Sequence, residues 1–107
     1  MAIYQGNVKS YYLCVRTPNA HSAFKAAIHI SGKFGLGYMN FVPDGQQLPP
    51  NKKHSGRDVF EVHYWMSSWT HCVDLLRYEK PVFFFYDDSS NTAELRTNSE
   101  AVGEGEE

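Results

Sequence analysis

The sequence predicts a single α+β domain in which two helices cover one face of a mainly antiparallel sheet, and three observations predict it. Segments rich in β-branched and aromatic residues alternate with segments of helical spacing. A chain of 107 residues is long enough for one hydrophobic core and too short for two. An apolar fraction of 42%, with 15% aromatic residues, supplies that core without disulfide or metal staples.

Ser10 to Arg16 is the first predicted strand, with Tyr11, Leu13 and Val15 on one face and Tyr12, Cys14 and Arg16 on the other. Thr17-Pro18 reads as an N-cap followed by Pro at the first helical position. Ala20, Ala23, Phe24, Ala27 and Ile28 then recur at helical spacing until Gly32, which predicts the first helix. Gly35 to Val42 is a second strand whose glycines suggest a bulge or a close backbone approach, and Pro43 closes it. Pro43 to Arg57, rich in Pro and Gly and without periodicity, reads as a long exposed loop.

Asp58 to Trp65 alternates, Phe60, Val62 and Tyr64 facing one way and Val59, Glu61, His63 and Trp65 the other. Ser67 and Ser68 are N-cap residues for a second helix with a buried stripe of Trp69, Cys72, Val73 and Leu76, ending at Lys80-Pro81. Val82 to Tyr86 is nearly all aromatic and predicts a strand covered on both faces. After a turn at Asp87 to Asn91, the more polar Thr92 to Thr97 suits an edge strand. The domain is thus expected over residues 1–98, and the acidic residues 99–107 as a solvated, disordered tail.

The order β-α-β-β-α-β with an added C-terminal edge strand is that of the ferredoxin-like split βαβ motif. In that arrangement the first and third strands are neighbours and both helices lie on one face. The helix-free face would carry Tyr12, Cys14, Arg16, Glu61, His63 and Trp65, with Met39 and Phe41 beside them if the second strand has no bulge.

A face mixing aromatics with Arg, Glu and His is too apolar to be left to water, so it should contact something. The leading expectation is a homodimer made by stacking two such faces, through Tyr12, Arg16, Glu61, His63, Trp65, Met39 and Phe41. The alternative is a small-molecule pocket or active site on the same face, in which Cys14, His63 and Glu61 would serve as nucleophile, base and modulator. Against it, Glu61 and His63 are two apart on one strand, about 7 Å along it. No cofactor is expected. Metal binding is disfavoured because His21, His29, His54, His63 and His71 have no tight ligand spacing.

Nucleic acid is the third possibility. Lys33 to Val42 resembles the longer signature of RNA-recognition-motif domains, whose sheet aromatics stack bases. Its glycine and aromatic positions are permuted and it falls on the second predicted strand rather than the third. The formal charge of -2 becomes about +2 once the four acids of the tail are set aside, too little for a phosphate-binding footprint.

Two distant cysteines predict reduced thiols. The N-terminus shows no signal pattern and no apolar run approaches bilayer length, so a cytoplasmic protein without membrane contact is expected. The close of the chain, an aromatic strand from Pro81, a short return and the ending Ser99-Glu100-Ala101-Val102-Gly103-Glu104-Gly105-Glu106, resembles small uncharacterised proteins of bacterial integron gene cassettes. That resemblance implies a bacterial origin and transfers no functional residue.

Overall fold

The computed structural model describes residues 2–17 and 24–97. They form β1 (Ile3–Val15), β2 (Ala26–Gly32), β3 (Gly35–Val42), β4 (Lys52–Lys53), β5 (Val59–Trp65), a 3-10 turn (Met66–Ser68), α1 (Trp69–Tyr78), β6 (Val82–Asp87) and β7 (Thr92–Thr97). The strands make one seven-stranded sheet in the order β4-β5-β3-β2-β1-β6-β7. Every neighbouring pair is antiparallel except β3 and β5, which are parallel. The sheet curls into a half-barrel with α1 against its inner side. The ferredoxin-like arrangement is therefore overturned.

The decisive difference lies in Ala26–Gly32, expected as the end of a helix and found as a strand. Ile28 stands between Leu13 and Met39, and Ile30 between Tyr11 and Gly37, so this segment hydrogen-bonds and packs on both sides. Tertiary pairing of the β-branched residues outweighs the helical preference of the alanines. Phe24 and Lys25, also expected as helix, are not helical, while residues 18–23 and the predicted tail, residues 99–107, lie outside the described residues.

Insertion of β2 and β3 between β1 and β5 also means that the first and third predicted strands are not neighbours. β1 and β5 stand three strand spacings apart, about 14 Å. β3 reaches its parallel neighbour β5 through residues 43–58, a crossover without a helix whose β4 pairs with the far edge of β5. Two contacts tie that crossover down: Ser67 N–H donates to Asp44 Oδ1 at 2.9 Å, and Trp65 Nε1–H to Gln46 O at 2.7 Å.

The inner face carries the core. Ala26, Ile28, Ile30, Met39, Phe41, Phe60, Val62, Phe84 and Tyr86 are buried there, joined by Cys72 and Val73 of α1. The predicted stripe of α1 is the one that packs, Trp69 meeting Phe41 edge-on at 5.0 Å. Ser68 occupies the N-cap position without a side-chain cap bond.

Rings then close the half-barrel across the core. Phe60 on β5 lies 5.4 Å from Tyr4 of β1, and 5.3 and 5.1 Å from Phe84 and Tyr86 of β6. β6 is covered less evenly than its sequence suggests: Val82, Phe84 and Tyr86 are buried, whereas Phe83 and Phe85 are half-buried on the other side. The Arg96 guanidinium lies 3.9 Å over the Phe85 ring.

Candidate functional site

The outer, helix-free face is organised by register into rows that run across the strands. Tyr12 opposes His29, His29 opposes Tyr38, Tyr38 opposes Glu61 and Glu61 opposes Lys52, a row five strands wide. Next to it runs Cys14, Ala27, Asn40 and His63. Period-2 alternation places Arg16 and Trp65 on the same face at that end.

The first row is held by ring and polar contacts. Tyr12 and His29 have centroids 4.6 Å apart, with Tyr12 Oη at 2.5 Å from His29 Nδ1, and His29 meets Tyr38 edge-on at 4.7 Å. Glu61 Oε2 pairs with His54 Nε2 at 2.5 Å and Lys52 Nζ at 3.7 Å. Charge thus concentrates at the β4 and β5 end and aromatic surface at the β1 end, where Tyr12 is 60% exposed.

Met39 and Phe41 are corrected. Both are fully buried on the inner face, because β3 is unbulged and sets them opposite Ile28 and Ala26, leaving Tyr38 and Asn40 to face outward. His29 and Tyr38 complete the row; the sequence does not show His29 there because β2 reads as a helix, nor Tyr38 because the opposite parity of β3 is expected on this face.

Cys14 and His63 share the outer face but stand in register positions separated by β2 and β3, so thiol and imidazole do not converge. The His63 ring lies 5.6 Å from Phe24, and its buried Nδ1 has no hydrogen-bond partner among the described residues. Cys72 is buried among apolar side chains on the inner side, which pushes its thiol up to about 11, the inert direction. Cys14 and Cys72 are free and on opposite sides of the sheet. Among the described residues no group of three or more His, Cys, Asp or Glu is placed to hold a metal ion, and no helix is long and apolar enough to cross a membrane.

Two of the larger cavities lie elsewhere, one of about 420 Å³ between β1 and the C-terminal end of α1, the other of about 390 Å³ beside β4 and the turn after β6. Neither is lined by Tyr12, Arg16, His63 or Trp65. Compared with protein-family models, curated proteins and solved structures, the chain gives no match.

The outer face also makes stability depend on pH. Burial holds His29 below its ordinary value of 6.5, with Arg16 adding to the effect. Burial lowers His63 as well, Glu61 opposing and Lys52 assisting. The folded chain therefore binds fewer protons at these rings than the unfolded chain near and below that value. Their stabilising contribution is complete above about 6.5 and is lost as pH falls through the depressed folded values. Tm should fall on acidification below about 6.5, and His29→Gln with His63→Gln should flatten that fall. A thermal-melt series in which the double variant keeps the wild-type slope would contradict it.

Proposed function

We propose that the protein is an interaction domain that self-associates through the outer face of its sheet. The observation that carries this reading is the pre-ordered row Tyr12, His29, Tyr38, Glu61 and Lys52, aromatic at one end and charged at the other, on a face that no described helix covers. Tyr12, His29, Tyr38 and Glu61 are already held by ring contacts or hydrogen bonds, so covering them costs little rotamer entropy. Trp65 and Leu36, each 43% exposed, extend the apolar area.

Small-molecule binding or catalysis on this face has less support, since Cys14 and His63 are held apart. RNA binding has less again: the outward side chains of β3 are Leu36, Tyr38, Asn40 and Val42, with a single ring among them. A reduced, cytoplasmic setting fits the two unpaired thiols. The resemblance to bacterial integron-cassette proteins adds an expected origin and no residue to the site.

The test is sedimentation at rising protein concentration. Tyr12→Ala, at an exposed position whose loss spares the core, should weaken self-association by tenfold or more, about 1.4 kcal/mol. Trp65→Ala should act in the same direction. An oligomer unchanged in both variants would remove the outer face as the contact.

A further inference from the structure

We infer that the second half of β1 is an open sheet edge that pairs with the same segment of a second copy, independently of the outer face. β6 covers β1 only from Ile3 to Asn7. From Ser10 to Val15, β1 pairs with β2 alone, after a register shift between Val8 and Ser10. Its other edge has no strand beside it among the described residues.

Backbone parity identifies the free groups. Arg16 N–H donates to Lys25 O at 3.0 Å, which turns the even-numbered residues Tyr12 and Cys14 toward β2. Tyr11, Leu13 and Val15 therefore aim their N–H and C=O groups at the open edge. Their side chains belong to the inner face, opposite Ile30, Ile28 and Ala26, yet Leu13 is 38% and Val15 77% exposed because β6 and α1 stop short of them. The adjoining groove of about 420 Å³ continues this apolar strip with Val8, Leu76 and the 74% exposed Tyr78.

The register shift lies at the start of the stretch, between Val8 and Ser10, and from Ser10 to Val15 there is no Pro and no charged side chain, two of the devices that prevent strand addition. The stretch also fits its own copy. In an antiparallel pair centred on Leu13, that residue meets Leu13 of the second copy as a hydrogen-bonded pair, and Tyr11 meets Val15. The register sets Arg16 opposite Ser10 and Lys9 opposite Thr17, so no like charges face each other. A two-fold axis normal to the sheet keeps both inner faces on one side, and the exposed Leu13 and Val15 of each copy join a shared apolar strip.

Amide hydrogen exchange tests this residue by residue. As wild-type concentration rises from micromolar to millimolar, exchange at Tyr11, Leu13 and Val15 should slow by about tenfold or more, whereas Tyr12 and Cys14, already bonded to β2, should not change. Val15→Lys, at an exposed side chain, should abolish the effect while leaving the melting temperature unchanged. Leu13→Pro removes an N–H that the monomer does not use and should weaken edge association in sedimentation by a similar factor. Concentration-independent exchange at Tyr11, Leu13 and Val15 would overturn the pairing. Because Tyr12→Ala reads the outer face and Val15→Lys the edge, either contact can fail without the other.

Discussion

Phe60→Ala is expected to destabilise the protein by about 3–5 kcal/mol, the range for deleting a fully buried aromatic ring. Phe60 is the ring at which the two arms of the curled sheet meet: it sits on β5 and touches Tyr4 of β1 together with Phe84 and Tyr86 of β6. β5 is hydrogen-bonded to neither β1 nor β6, yet all three meet around this one side chain, so the cavity cannot be filled by shifting a single neighbour. Lys53, its ammonium 5.2 Å over the Tyr4 ring, covers this junction from the β4 side. Asn51 adds a polar clasp, donating to Asn91 O at 3.0 Å and accepting from His63 N–H at 2.8 Å. Urea titration gives the measurement, with Tyr12→Ala as the exposed control. A loss below about 1 kcal/mol would mean that the arms do not close on this ring.

That closure marks the boundary of what the chain discloses by itself. The alternation of Asp58–Trp65, the stripe on α1 and the polar return of β7 are local signals, and each element forms where its period places it. β2 differs because its neighbours decide it. Ala27 is buried on the outer side as completely as Ile28 on the inner, so the segment shows no alternation, and its alanines mimic a helix. Ile3–Lys9 does not read as strand either, since Gly6 and Asn7 interrupt the pattern, although they pair with Phe84 and Phe83. β4 consists of Lys52 and Lys53, too short for any period to show, and is placed by pairing with Glu61 and Phe60.

The candidate site shows the same division. Parity within a strand is local, which is why Tyr12, Cys14 and Arg16 emerge on the side that Glu61, His63 and Trp65 also occupy. Strand order is not local. The insertion of β2 and β3 turned an expected cluster of Cys14, His63 and Glu61 into positions on separate arms of a wide face, and supplied His29 and Tyr38 as the link between them. The open edge of β1 follows from strand length: thirteen residues on β1 meet a β6 of six, and among the described residues the surplus has no partner on that side.

Gly35→Ala should be the most damaging change outside the core, costing about 3–5 kcal/mol from strain and overlap together. Gly35 has φ of +119°, a conformation that L side chains rarely adopt, and a Cβ there would stand 2.1 Å from Asp58 O. The same carbonyl accepts the Leu36 N–H at 2.9 Å, immediately before Leu36 comes into register with Val59. β3 and β5 are the parallel pair, joined by a long crossover, so no tight turn fixes their alignment. The contact between Gly35 and Asp58 does so instead, and forcing it apart should loosen the first residues of both strands. Gly45→Ala supplies the comparison: its φ is +87° but nothing lies within 4 Å of the added carbon, so it carries the conformational cost alone, about 1 kcal/mol. Urea midpoints should therefore drop much further for Gly35→Ala, with exchange protection lost first at Leu36 and Phe60. Equal losses in the two variants would mean that positive φ, and not the approach of Asp58, makes glycine necessary at position 35.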